Sequence, residues 1–385
     1  MSKGEVGVRY FTEIINEQHL RVTMSNKMII CDLHCDTITE LLAGADLKSS
    51  LTQVNIPAMK AGAVGIQLFA CYVPPSIPQG SRFDLVMKAR DVFEDQLHRY
   101  GDEIELARNV PDVRRIMATD KICGILTIEN GNAIENNLKN LSTYYEMGVR
   151  CMTIVHAESH EWAISSNDSN PVHEPLTNFG EKVIAAMNEM GMIIDLSHAH
   201  DETAKRVLEL SKRPVVATHS CVKKLCQHPR NLSDYLIESI ADSGGMIGIN
   251  FFPGFISHDY HHSVTIRAGE LFSELSRMER QAAPDLKEIA LLFRDFRVKI
   301  HDLMQDIEVT IDDVIDHIDY IVRLVGDDCI GFGSDFDGIP DAPKGLTNCA
   351  DTILILNRMA ERGYNEKSIE KIAYKNFLRV LDSHE

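Results

Sequence analysis

The sequence predicts an α/β fold, a (β/α)8 TIM-like barrel with a helical excursion between strands 7 and 8. Eight short apolar runs carry that reading, at 28–33, 63–72, 122–128, 149–155, 192–196, 214–218, 245–251 and 329–333. Most are rich in Ile, Val and Met with little alternation, as parallel strands buried on both faces are. Amphipathic stretches of helical length separate them, which is the βα rhythm of a barrel. The same rhythm also fits an open doubly wound sheet, and periodicity alone does not choose between the two.

The intervening helices have readable starts. The stretch 81–100 follows Ser81 as an N-cap, 201–212 begins with Asp201 as cap, 232–243 follows, and 311–324 comes after Thr310. Between the seventh and eighth runs, 253–308 is far longer than one crossover helix needs. It is charged and helical over 268–280 and 286–305, and reads as an insertion over the barrel mouth or at a subunit contact. His258, His261 and His262 at its entrance read as a solvated loop rather than a metal site. No linker or repeat divides the chain, so residues 1–385 read as one barrel domain, with an N-terminal extension over roughly 1–27.

Composition narrows the function. With 44% hydrophobic residues the chain can bury one large core or two smaller ones. Its 57 acidic against 39 basic residues give a formal charge of −18, which repels nucleic acid and anionic membranes. No stretch approaches the ~20 uncharged apolar residues of a membrane span. The first residues lack the order of a signal peptide. Nine Cys without a Cys-x-x-Cys pair read as buried thiols in a reducing compartment, so a cytoplasmic location is expected.

Barrel enzymes place their chemistry at the C-terminal ends of the strands. Here the first run ends in His34 and Asp36, the third in Glu129, the fourth in His156, the fifth in His198, the sixth in His219 and the eighth in Asp335. Any one could simply cap a strand, but six of eight ends offer a metal-capable or titratable side chain while the strand bodies hold almost none. Three or more His with several carboxylates exceed what one tetrahedral ion needs while keeping a position for water. A bridging carboxylate, Glu129, would hold two ions about 3.5–4 Å apart with a shared hydroxide. Cys31 and Cys35 flank the first pair and read as packing, with Cys35 pointing away.

The chain resembles the membrane (renal) dipeptidase family of zinc dipeptidases, within the amidohydrolase superfamily. The matching stretches are Asp32-Leu33-His34-Cys35-Asp36, Glu129 after its strand, Thr153-Ile154-Val155-His156, Asp195-Leu196-Ser197-His198, Ala217-Thr218-His219-Ser220, His228-Pro229-Arg230-Asn231 and Gly333-Ser334-Asp335-Phe336-Asp337-Gly338, with the closing 372–380 helix. The resemblance implies a zinc-dependent dipeptidase that attacks the peptide bond of a free dipeptide with a metal-bridging hydroxide. His34, Asp36 and Glu129 would hold one zinc, and Glu129, His198 and His219 the other. His156 would hydrogen-bond the developing oxyanion, Arg230 would grip the substrate carboxylate, and Asp335 would exchange protons with the bridging water and the leaving amine. It also implies a homodimer.

Three features depart from the family pattern. Asn130 replaces a glycine after the bridging Glu, which is expected to alter the pocket wall. The segment around Trp162 differs, leaving substrate contacts there open. The excursion after Phe252 is expected to reshape the mouth and the side-chain preference. The absence of an apolar C-terminal tail argues against a lipid anchor. Other readings keep the barrel but hydrolyse N-acyl amino acids or lactams, or keep the metals without catalysis.

Overall fold

The computed structural model describes residues 28–385, so the extension expected over 1–27 lies outside the described residues. The strands are β1 (Ile30–Asp32), β2 (Val64–Tyr72), β3 (Ile104–Leu106), β4 (Ile122–Glu129), β5 (Val149–Thr153), β6 (Ile193–Asp195), β7 (Val215–Ala217), β8 (Met246–Ile249) and β9 (Ile330–Phe332). All pairings between them are parallel. β2 pairs with β4 and β9 returns to β1, which closes eight of these strands into a barrel. These are the eight expected runs, and the closure excludes the open sheet. The chain is a (β/α)8 barrel.

β3 is a ninth strand that the sequence reading missed. It pairs with Ile122–Gly124 on the edge of β4 that β5 takes over from Leu126 onward. Three residues are too few to show a period of two.

The barrel interior explains why the strand ends carry polar groups. Cys31, Ile66, Leu68, Cys123, Ile125, Cys151, Ile193, Val216 and Met246 form one buried apolar cluster drawn from seven strands. Helices Val110–Met117 and Asn376–Asp382 add Val113, Ile116, Phe377 and Val380 to it and so close the barrel from below. Two residues further along the same inward face come Thr127, Thr153, Asp195 and Thr218. The interior therefore changes from apolar to polar toward the C-terminal ends. At the seam between β1 and β9, the Ser334 hydroxyl donates to Asp32 Oδ2 (2.6 Å) and its N–H to Oδ1 (2.8 Å).

The expected helices are present as Arg82–Arg99, Asp201–Leu210, Asp234–Asp242 and Ile311–Val325. Their caps differ in detail. Ser81 makes no side-chain cap bond. The cap before Asp201 is His200, whose Nδ1 accepts the Glu202 N–H (3.2 Å), because Asp201 instead turns outward to pair with Lys223. Thr310 donates both its N–H and its hydroxyl to Asp313.

The excursion after β8 is a short helix, Pro253–Ile256, and a hairpin of helices, His258–Ala282 and Leu286–Met304. His258, His261 and His262 are in the first turns of the long helix, not in a loop. The Ser257 hydroxyl accepts the Tyr260 N–H (3.3 Å), and Tyr260, Val264 and Ala268 are buried at i, i+4, i+8 spacing, which fixes the helix start. Arg294 of the hairpin ion-pairs with buried Glu40 beside β1, its Nε 2.7 Å from Oε2. Among the described residues no helix is long and apolar enough to cross a membrane.

Candidate active site

The strand-end groups converge on one carboxylate at the barrel's C-terminal mouth. Glu129 Oε1 lies 3.1 Å from His198 Nε2, 3.5 Å from His219 Nε2 and 3.6 Å from His156 Nε2. Its Oε2 lies 3.6 Å from His34 Nε2. His34 Nε2 is also 3.6 Å from Asp36 Oδ2 and 3.8 Å from Asp335 Oδ1. All seven side chains of the predicted cup are therefore neighbours, and only Arg230 stands outside this carboxylate–imidazole cluster.

The donors fit divalent metal binding. Three overlapping groups could each hold an ion, namely His34, Glu129 and His219, then Glu129, His156 and His198, then His34, Asp36 and Asp335. Glu129 belongs to two of them and has two carboxylate oxygens to share between ions, whereas His34, also in two groups, has a single Nε2 lone pair and can serve only one. His34 Nε2 and Asp36 Oδ1 are buried with no hydrogen-bond partner, which is costly unless a ligand completes them. His156 also lies within ligating reach, beyond the substrate-contact role that the sequence motif implies.

The layer beneath settles which nitrogen of His219 faces the cup. Asp195, which can only accept, receives hydroxyl bonds from Thr153 (2.6 Å) and Thr218 (2.6 Å) and the N–H groups of Ser197 (2.9 Å) and Thr218 (2.9 Å). With its proton committed to Asp195, the Thr218 oxygen accepts from His219 Nδ1–H at 2.8 Å. That leaves the Nε2 lone pair free to ligate. His198 and His219 bring their Nε2 atoms within 2.9 Å of each other.

Electrostatics point the same way. Burial, then Arg230, pushes His156 down to about 3, and burial pushes His198 and His219 well below the ordinary imidazole range. Three neutral imidazoles result, the form that binds a metal. Burial opposes protonation of His34, yet Glu129 and Asp36 together hold it above its usual range. Burial and the nearby Glu129 charge lift Asp36 to about 6, and burial lifts Asp335 well above the carboxylate range. Crowded carboxylates of this kind are relieved by a cation among them.

Asp335 and His198 both have left-handed backbones (φ 60° and 69°), a conformation that concentrates at functional positions in non-glycine residues. Asn250, just past β8, donates to Asp335 Oδ2 at 2.8 Å. Asn250 escaped the sequence reading, which looked at strand ends for titratable groups only. The Asp195–Thr218 layer escaped it too, because its residues sit one step below the strand ends. Gly338 packs so close to Asp36 and Asp335 that a Cβ there would overlap Asp36 Oδ2.

Arg230 is buried, with Nη2 donating to the His219 carbonyl (3.1 Å), and its guanidinium lies 5.3 Å from the Phe255 ring centre. Among the described residues no carboxylate is within ion-pair distance of it, and its Nε has no partner. Cys35 faces away from the cup, its thiol directed at the Leu68 carbonyl (3.4 Å). Asn130 does not itself line the cavity. It is fully buried, donates to the Val73 carbonyl (2.9 Å), and adopts a positive φ of 92°. Trp162 is likewise buried behind the cup, so close to Gly131 that a side chain there would strike its ring.

A cavity of about 530 Å³ opens above the cup. Asp36, Glu129, His156, His198, Arg230 and Asp335 line its floor, and the helical hairpin lines its roof.

Comparison with known proteins agrees with this geometry. Residues 19–385 match the family described as "Membrane dipeptidase (Peptidase family M19)". The chain is 29% identical to dipeptidase aclJ of Aspergillus oryzae, over 86% of this chain and 69% of that protein. It is 26% identical to dipeptidase verJ of Clonostachys rogersoniana, over 87% and 76%. The fold is similar to that of a metallopeptidase from Rhodobacter sphaeroides, crystallised with a phosphinate mimic of the dipeptide L-Ala-D-Ala. That match has a TM-score of 0.76 at 22% identity, covering 94% of this chain and 100% of the other.

Proposed function

Because this chain belongs to the membrane dipeptidase family, peptidase family M19, and is a metallopeptidase by that membership, we propose that it is a zinc-dependent dipeptidase acting on free dipeptides. The observation that carries the reading is the convergence of four imidazole Nε2 atoms on Glu129, with Asp36 and Asp335 beside His34. His34, Asp36 and Glu129 would hold one zinc ion, and Glu129, His198 and His219 a second. Two zinc ions bound there would supply a water that ionises near neutral pH.

The remaining groups divide the rest of the work. Asp335, oriented at Oδ2 by Asn250, takes and returns protons at Oδ1. His156, neutral and at the cavity floor, donates a hydrogen bond to the carbonyl oxygen as negative charge develops on it. Arg230, buried and with no carboxylate within ion-pair distance among the described residues, presents its planar fork to the substrate carboxylate.

Elemental analysis of the purified protein should find zinc at two ions per chain. A panel of dipeptides assayed beside N-acetyl amino acids should show cleavage of the dipeptides. Cleavage of the N-acetyl compounds alone would overturn the dipeptidase reading. Arg230→Ala should mainly impair free-acid dipeptides, and an equal loss on C-terminally amidated analogues would remove Arg230 from that role.

A further inference from the structure

We infer that Phe252, Phe255 and the inner face of the helical hairpin form a subsite for a bulky apolar side chain, carried by the substrate residue that bears the free carboxylate. The inference rests on the dipeptidase reading and names its substrate class. Its starting point is the contact between Arg230 and the Phe255 ring, 5.3 Å apart. A carboxylate gripped by Arg230 puts the adjoining Cα beside that ring, so this residue's side chain meets whatever continues from Phe255.

What continues is a mainly apolar wall, edged on one side by the His228 ring, 4.5 Å from Phe255, and by His261 beyond it. Phe255 packs edge-on against Phe252 (5.0 Å), and Phe252 against Tyr260 of the hairpin (6.0 Å). One turn further along that helix Val264 is buried and lines the cavity, and Ile289 and Phe296 line it from the second helix. The hairpin's charged contribution, Glu279 and Arg280, comes from the far end of the first helix. A dipeptide of two alanines would leave this wall facing water inside a cavity of about 530 Å³. An aromatic side chain would cover roughly 150–250 Å² of apolar surface. Arg294 ties the second helix to buried Glu40 beside β1.

The test uses the full-length zinc-loaded enzyme with Ala-Ala, Ala-Leu, Ala-Phe and Phe-Ala. Ala-Leu and Ala-Phe should exceed Ala-Ala in kcat/KM by about tenfold or more, with Phe-Ala gaining much less. Phe255→Ala and Val264→Ser should each shrink the Ala-Phe to Ala-Ala ratio, and Phe255→Leu should restore most of it. Because the readout is a ratio, a partly unfolded preparation lowers both rates without mimicking the effect. Equal rates across the four substrates, an equal gain for Phe-Ala, or ratios unmoved by both variants would overturn the subsite while leaving the dipeptidase standing. Failure to cleave any dipeptide would instead overturn the underlying reading, and the subsite with it.

Discussion

Replacing Thr218 by valine should weaken metal binding while leaving the shape of the barrel unchanged. The hydroxyl donates to Asp195 Oδ2 at 2.6 Å and accepts from His219 Nδ1 at 2.8 Å. Valine keeps the volume and removes both bonds. Asp195 retains Thr153 and two backbone donors, so the loss falls on His219, which is fully buried. Its Nδ1–H is then unsatisfied, at a cost of about 1–3 kcal/mol. It can escape by moving the proton to Nε2, the nitrogen that faces Glu129 and His198. That nitrogen then has no lone pair for a metal. Removing such a ligand-orienting partner commonly lowers metal affinity 10–100-fold, about 1.4–2.7 kcal/mol. Chelator-competition titration with zinc should show that loss, and urea unfolding of the metal-free protein should show the stability term. Zinc affinity equal to wild type would refute the tautomer argument, whatever happened to stability.

Asp335→Asn should lower kcat by about 10²–10⁴-fold while metal content stays at the wild-type level, measured by steady-state kinetics and elemental analysis. Gly338→Ala should reduce both metal content and activity, since its Cβ overlaps Asp36 Oδ2 and crowds Asp335 Oδ1. Full metal occupancy in that variant would show that the loop can yield. Glu279 at the cavity roof has its carboxyl lifted to about 7 by burial, with Arg280 opposing and Glu158 adding to the rise. Folding therefore favours its protonated form, and that contribution is present below the unfolded value and lost as pH rises through about 7. Glu279→Gln should leave the melting temperature near wild type at about pH 5 and raise it at about pH 8.5. A difference that does not grow with pH would contradict the sign.

The barrel was legible from continuous apolar runs, and the cup from the period of two at their ends. Apolar runs buried on both faces mark the strands, and the inward face of β4 runs Cys123, Ile125, Thr127, Glu129, so the strand's last residue had to point into the mouth. What was not legible depended on neighbours far apart in sequence. Asp195 gains its meaning only when Thr153 and Thr218 meet it from adjacent strands. Asn250 matters because it lies beside Asp335, across 85 residues of chain. Any effect of Asn130 on the pocket wall is indirect, because its backbone turns its amide toward the Val73 carbonyl. The hairpin's entrance was misread because its histidines obscured the spacing of Tyr260, Val264 and Ala268. The hairpin's place over the barrel mouth is one of the two positions that the length of 253–308 suggests, and its inner face does line the cavity above the cup.

All nine cysteines are buried and unpaired, and burial pushes every one of their thiols above its ordinary range. They are spread from β1 to the 3₁₀ turn Cys349–Asp351, with four in the barrel interior or beside the cup. Such a protein is chemically silent toward thiol reagents for as long as it stays closed. Each labelled cysteine then dates the opening of its own neighbourhood. Cys35, with its sulfur turned away from the floor of the cup, gives a built-in clock for how often the metal site itself comes apart.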